Sequence, residues 1–291
     1  MNVLKNKVSK GETMKTEKIY QGNCIEVLKD FHDESIDCVV TSPPYWGLRD
    51  YNEEEQLGLE ETPEEFVANL VKVFSEVKRV LKSSGSVWLN LGDTYYNKSL
   101  AGIPFRVAFA LQSDGWYLRQ DIIWNKPNPM PESVQDRCTK AHEYIFLLTK
   151  SPKYFYDIDA VREPLAESSI GRLNQNIEKQ IGTTRANGGQ KTNGNFKAVG
   201  DQEKGANKRS VWKITTKPYK EAHFATFPIE LPITCIKAGC PEGGIVLDPF
   251  FGSGTTGLAA QELHRHWVGI ELNPEYIEIA NRRVGQTNLF V

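Results

Sequence analysis

The chain is poor in cysteine, has almost no net charge and contains no long apolar run. Its five cysteines, Cys24, Cys38, Cys138, Cys235 and Cys240, are odd in number and include no Cys-x-x-Cys pair. That argues against a disulfide framework or a structural zinc site, so no metal is expected, and it fits reduced thiols in the cytoplasm. No segment reaches the ~18 consecutive apolar residues that a membrane span needs, and no signal-peptide core is visible, so a membrane partner is not expected. A net charge of −2 and a pI near 6.3 advertise no polyanion partner, and any basic surface has to be local. There is no internal repeat.

What remains is a globular composition. With 291 residues, 40% of them hydrophobic, the chain can bury the core of one large α/β domain or of a domain carrying an insertion. Residues 35–41 run apolar and β-branched before a double proline, which reads as a buried strand. Thr62-Pro63-Glu64-Glu65 supplies an N-cap, a proline at the first helical position and an N3 acid. Phe66, Leu70, Phe74, Val77 and Leu81 then recur at helical spacing, predicting an amphipathic helix that ends near Ser83-Ser84-Gly85. Strands are predicted over 85–91, 116–124, 143–148, 244–247 and 266–271, and helices over 25–31, 104–113, 229–237, 255–263 and 274–284. Alternating strands and helices imply a mostly parallel sheet.

Two motifs carry chemistry. Asp248-Pro249-Phe250-Phe251-Gly252-Ser253-Gly254-Thr255 follows a strand and opens a helix, so free backbone N–H groups and glycines whose Cβ would otherwise intrude can cradle a nucleoside cofactor. Glu271, eighteen residues after Ser253 and at the end of the next strand, suits the two hydroxyls of a ribose. An NAD enzyme would use the same acid. S-adenosyl-L-methionine is favoured because Asp248 would attract its ammonium group, whereas a dinucleotide would place a pyrophosphate against that carboxylate. Near the N-terminus, Gly22-Asn23-Cys24 offers Asn23 to the adenine end, although an ordinary turn explains it equally well.

The second motif, Ser42-Pro43-Pro44-Tyr45, leaves the C-terminal end of a strand. The exocyclic amine of a base is a weak nucleophile because its lone pair is delocalised into the ring. Ser42 Oγ and the Pro43 carbonyl can accept its two N–H bonds, the prolines stiffen the loop, and Tyr45 can stack on the base. Trp46 would either extend that stacking wall or pack beneath it. Lys126, in Trp124-Asn125-Lys126-Pro127, is a candidate contact to a nucleic-acid backbone.

Between residues 171 and 220 the chain turns basic and polar, with eleven Lys or Arg against three acids and seven glycines. A surface loop would have that composition, but its place between the two motifs suggests a DNA-contacting insertion, with Lys208 and Arg209 as candidate contacts. Residues 1–16 are polar and lysine-rich and are expected to form a disordered extension. Met14 is a second candidate start.

On these motifs the chain resembles the beta-type DNA amino-methyltransferases, the N4-cytosine and N6-adenine enzymes with permuted motif order that are typical of restriction-modification systems. The resemblance spans residues 17–285 apart from the basic segment. It implies a Rossmann-like S-adenosylmethionine-dependent methyltransferase fold with a circularly permuted sheet. It matches Ser42, Pro43, Pro44 and Tyr45 to the catalytic motif, Phe250, Gly252 and Gly254 to the cofactor loop, and Glu271 to the ribose acid. Asn23 stands where the family often has aspartate. Serine at the head of the catalytic motif leans toward cytosine N4, since adenine enzymes usually carry Asp or Asn. The resemblance divides the chain into a catalytic half (17–164), a target-recognition insertion (165–222) and a cofactor half (223–291). Its partners would be double-stranded DNA with a flipped base, a cognate restriction endonuclease and, in a homodimer, a second copy. Adenine N6 methylation, RNA methylation and a non-catalytic nucleotide-binding module remain as alternatives.

Overall fold

A computed structural model describes residues 14–50, 53, 55–167, 170, 205–216 and 227–287. Residues 1–13 of the predicted extension, and most of the predicted insertion, lie outside the described residues. In chain order the elements are β1 (Lys18–Gln21), α1 (Cys24–Leu28), β2 (Ile36–Thr41), α2 (Pro63–Val80), β3 (Leu81–Leu91), β4 (Tyr95–Tyr96), β5 (Ser99–Leu100), α3 (Ile103–Ser113), β6 (Tyr117–Asn125) and β7 (His142–Thr149). There follow a 3-10 turn (Asp159–Val161), β8 (Val211–Lys213), α4 (Glu230–Gly239), β9 (Ile245–Asp248), α5 (Thr255–Glu262), β10 (His266–Glu271) and α6 (Pro274–Thr287).

Eight strands form one sheet in the order β1-β10-β9-β2-β3-β7-β6-β8, and β4 and β5 make a separate hairpin. Five of the seven pairings in the large sheet are parallel and two are antiparallel, both made by β7. The sheet is therefore mostly parallel, as the alternation of strands and helices predicts. From β9 the chain passes through α5 to β10 on one side, and from β2 through α2 to β3 on the other. The strand order reverses between β9 and β2, and a crevice opens beyond their C-terminal ends. Permutation puts the two strands of that crevice at opposite ends of the sequence.

Local rules account for α2. Thr62 Oγ1 accepts the Glu65 N–H at 3.2 Å, Pro63 opens the helix, and Phe66, Leu70, Val73, Phe74, Val77 and Val80 form its buried stripe. Burying each such side chain is worth roughly 1.5–3 kcal/mol. The helix stops at Val80, earlier than predicted, because Glu34 and Ser35 donate their N–H groups to the Arg79 and Val80 carbonyls. Leu81 already pairs with Ile36, and Ser83-Ser84-Gly85 becomes an irregularity within β3 instead of a helix terminus. Along β3, Val87, Leu89 and Leu91 join the core cluster that contains the buried faces of α2 and α3. Trp88 points to the opposite face, toward Gly239 of α4, where a Cβ would lie 2.3 Å from its Nε1.

The chain divides into two compact units, Asp157–Arg209 and the remainder. In the smaller unit Glu163 and Ala206 form an antiparallel bridge, and Arg162 donates to Gly205 O and Asn207 Oδ1. The break near Asp157 precedes the boundary predicted at 165. At the far end, Val211–Lys213 is a strand of the main sheet, pairing with Ile123–Asn125 of β6. Trp212 supplies the reason: it is buried and its ring lies 6.2 Å from that of Trp88, an anchor concealed in the sequence by the basic residues around it.

Phe251, stacked on Trp267 at 5.1 Å and 11°, fills a slot walled by glycines. A Cβ at Gly269 would stand 2.4 Å from its ring, and one at Gly257 2.7 Å. Gly269→Ala is therefore expected to lower stability by about 1–3 kcal/mol through overpacking, read as a lower midpoint in thermal denaturation. An unchanged midpoint would mean that Phe251 can leave the slot without cost.

Candidate active site

The crevice is lined from both halves of the chain. Gly22 and Asn23 come from the β1–α1 turn and Ile25 from α1, Ser42 and Pro44 from the loop after β2, Asp248 from the end of β9 and Pro249 to Ser253 from the loop after it, and Glu271 to Asn273 from the end of β10 and the turn that follows. The loop after β9 turns sharply because Gly252 and Gly254 have φ of +51° and +81°, a region closed to most side chains. At Gly254 a Cβ would also come within 3.2 Å of Phe251 and Ala280. At Gly252 there is open space, the nearest atom being 3.9 Å away, so conformation and not room demands glycine there.

Glu271 accepts from the N–H groups of Gly252 (2.7 Å) and Asn273 (2.9 Å), one on each oxygen. Burial pushes its pKa up, against those two hydrogen bonds. Asn23 Oδ1 caps α1 by accepting the Ile25 N–H at 3.0 Å, which leaves its amide N–H groups as the part able to meet a ligand. Pro249 is buried, and Phe250 is half-buried on the cavity wall. Ser253 and Thr255 turn their hydroxyls to Arg283 of α6, which also donates to Ser253 O at 2.8 Å. Their part in the site is thus to fix the loop to α6. Arg283 carries no motif signal.

Asp248 is buried, with 2% of its surface exposed. Its Oδ1 accepts from Thr41 Oγ1 at 2.6 Å and from the Phe250 N–H at 3.0 Å, and its Oδ2 accepts from Thr256 Oγ1 at 2.7 Å. Desolvation raises its pKa to about 6 although these three hydrogen bonds oppose the shift. Three of roughly four acceptor positions are committed within the protein, so Asp248 is first a fastener between β9 and β2.

On the other side of the crevice, Ser42 Oγ lies 3.3 Å from the Tyr45 hydroxyl as donor, and Tyr45 donates to Glu143 Oε2 at 2.7 Å. Asn90, buried in β3, donates to Glu143 Oε2 at 3.2 Å and to Tyr144 O at 3.1 Å. Gly92 makes room for Tyr45, since a Cβ there would be 2.5 Å from the ring. Asn90 and Glu143 were not predicted. An asparagine inside the apolar run Val87-Trp88-Leu89-Asn90-Leu91 was the visible signal for the first.

Of the candidate nucleic-acid contacts, Trp46 and Lys126 belong to the larger unit and Lys208 and Arg209 to the smaller. Trp46 is 5% exposed and donates to Glu60 O at 2.9 Å, so it packs beneath the loop and does not extend a stacking wall. Lys126 is ion-paired with Glu143, and its ammonium lies 4.3 Å from the Trp124 ring centre. Its burial arises because the Trp124–Glu143 neighbourhood offers both a ring face and a counter-charge. Lys208 and Arg209, in the smaller unit, lie 3.3 and 3.4 Å from the Glu163 carboxylate, and the Arg209 side chain is two-thirds exposed.

A mostly parallel sheet thus brings a glycine-rich turn, a buried strand-end acid and a proline loop to one crevice. The family profile of DNA methylases, the N6/N4 group, matches residues 36–282. Among curated proteins the chain is 45% identical to the type II methyltransferase M.Cfr9I of Citrobacter freundii, covering 91% of this chain and 87% of that one. It is 43% identical to M.SmaI of Serratia marcescens, covering 92% and 90%. Among solved structures, the PvuII DNA methyltransferase (cytosine-N4-specific) matches with a TM-score of 0.69 at 23% identity over 93% of this chain and 87% of that one, a likeness of fold. A putative DNA modification methylase from Thermus thermophilus, solved with S-adenosyl-L-methionine, matches with a TM-score of 0.60 at 26% identity, covering 92% and 94%. The chain belongs to the N6/N4 DNA methylase family, whose cofactor is S-adenosyl-L-methionine. The residues present fit that group: a carboxylate at the strand end for a diol, free backbone N–H groups at the head of α5, and apolar walls from Ile25, Leu57 and Phe250.

The Asp248 shift fixes a pH dependence. An ordinary aspartate in the unfolded chain titrates near 3.8, and the folded one near 6. Between those values the folded chain holds the extra proton, so the contribution of Asp248 to stability is greatest below about 4 and is lost as pH rises through about 6. Asp248→Asn keeps the Oδ1 acceptor for Thr41 and Phe250 and places an amide where Thr256 can accept. It is expected to gain stability relative to the wild type by roughly 3 kcal/mol as pH rises over the full range from below 3.8 to above 6, of which about 1–1.5 kcal/mol falls between about pH 5 and about pH 7.5, measured by denaturant unfolding. A pH-independent gap would contradict the shift.

Proposed function

We propose that the chain transfers a methyl group from S-adenosyl-L-methionine to the exocyclic N4 of cytosine in a short duplex DNA site, after the base is flipped out, within a restriction-modification system. The observation that carries this reading is that Ser42 and Pro44 line the same crevice as Asp248, Gly252 and Glu271. An amine bound at the proline loop is thereby next to the cofactor site. Serine at the head of the loop is what favours cytosine.

When bound, the cofactor supplies an activated methyl on a sulfonium, so the protein's work is orientation. Glu271 is the acceptor for the ribose hydroxyls, Asn23 faces the adenine end, and the turn at Gly252 to Gly254, whose own glycine N–H groups are bonded to Glu271 and the Phe251 carbonyl, carries the backbone close to the ligand. Asp248 adds negative charge beneath the amino-acid end. Ser42 Oγ and the Pro43 carbonyl accept the two N–H bonds of the base, favouring a pyramidal nitrogen, while Tyr45 offers its face. The Pro43 ring is buried and its neighbour Pro44 half-buried, which keeps the loop in one conformation. Double-stranded DNA is the partner, with Lys208, Arg209 and the basic segment as phosphate contacts. A cognate endonuclease and a homodimer belong to the same proposal.

The test is to incubate the protein with mixed-sequence DNA and the cofactor, digest to nucleosides, and identify the product by mass spectrometry. N4-methylcytosine is expected. N6-methyladenine would overturn the base assignment alone, and no methylated nucleoside would overturn the reading. Ser42→Ala should cut turnover by about a hundredfold or more, as does removal of other single hydrogen-bonding groups aimed at a reacting centre, with cofactor affinity by calorimetry unchanged.

A further inference from the structure

Glu143 stands at the start of β7, across the crevice from the cofactor loop and outside every motif. Its side chain is 14% exposed. A carboxylate so placed needs partners, and it has three: the Lys126 ammonium on Oε1, and the Tyr45 hydroxyl and Asn90 amide on Oε2. The Asn90 amide is oriented by its second bond, to the Tyr144 carbonyl, so its oxygen faces Tyr45 at 3.2 Å. Two of the groups on the Tyr45 oxygen, the Glu143 carboxylate and the Asn90 carbonyl, can therefore only accept.

That arrangement has a direction. Tyr45 gives its single proton to Glu143, and its oxygen is left to receive the proton of Ser42, 3.3 Å away. A serine hydroxyl has one proton and two lone pairs. With the proton drawn toward Tyr45, the lone pairs remain for a substrate N–H. Were the chain reversed, Tyr45 would donate to Ser42, and Ser42 would donate to the amine nitrogen, occupying the lone pair that must attack. We infer that Glu143 is a positioning residue that, acting through Tyr45, holds Ser42 as a hydrogen-bond acceptor toward the substrate amine. Lys126 is its counter-ion. This inference rests on the methyl-transfer reading above.

The test uses the full chain with Glu143→Gln, Tyr45→Phe and the double variant, in steady-state kinetics with DNA and S-adenosyl-L-methionine. Glutamine can turn an N–H toward Tyr45 and permits reversal. Phenylalanine keeps the ring and its seat over Gly92 but breaks the chain. Each single variant should lose about tenfold or more in kcat with KM for both substrates moving less than about threefold, and the double variant should be no slower than the slower single, because both changes break one chain. Full kcat in Tyr45→Phe, or losses that multiply in the double variant, would overturn the inference while leaving the methyl-transfer reading intact. A lowered thermal midpoint with kcat retained in Glu143→Gln would assign the residue to stability and also overturn it. Should the wild type methylate no DNA, the reading and the inference fall together.

Discussion

The structure depends on one buried carboxylate that has no cationic partner among the described residues. Asp248 closes β9, Thr41 closes β2, and the 2.6 Å hydrogen bond between them joins residues 207 positions apart at the point where the strand order reverses. Thr256, in the first turn of α5, holds the other oxygen. Cofactor loop and proline loop both leave from this junction, so their spacing is set by three hydrogen bonds from hydroxyl and backbone groups. Hydrogen bonds alone do not repay the desolvation of the charge, as the pKa near 6 shows. A protein needing only a fastener would do better with an amide. Asp248 nevertheless also lines the crevice.

Around that junction the loop is rigid for reasons of shape. Phe251 sits between Gly257 and Gly269 and against Trp267, while Arg283 ties Ser253 and Thr255 to α6. On the far wall, Gly92 and Glu143 do the same for Tyr45. Both walls are thus held by packing and hydrogen bonds formed before any ligand arrives, which lowers the ordering cost of binding.

Much of this was legible in the sequence, and the exceptions share a cause. The start of α2, the strand before the double proline and the glycine turn follow from capping, periodicity and φ, all local properties. The positions of Glu271 and Ser42 beside the crevice follow from the strand ends that the sequence pattern marks. The packing of Trp46, Lys126 and Trp212 does not, because it depends on neighbours distant in the chain: Glu60, Glu143 and Trp88. Composition marked Trp212 as part of a basic segment, whereas burial made it a strand. Glu143 was invisible for the same reason, since an acid at the start of a strand is ordinary until Tyr45 is found 2.7 Å away.

The most direct measurement is the titration of the Asp248 carboxyl by carbon-13 NMR, with and without S-adenosyl-L-methionine. In the free protein it should titrate near 6, and on binding its midpoint should fall, because a cation beside it favours the charged form. A midpoint near the ordinary value in the free protein, or one that the cofactor leaves in place, would contradict the account.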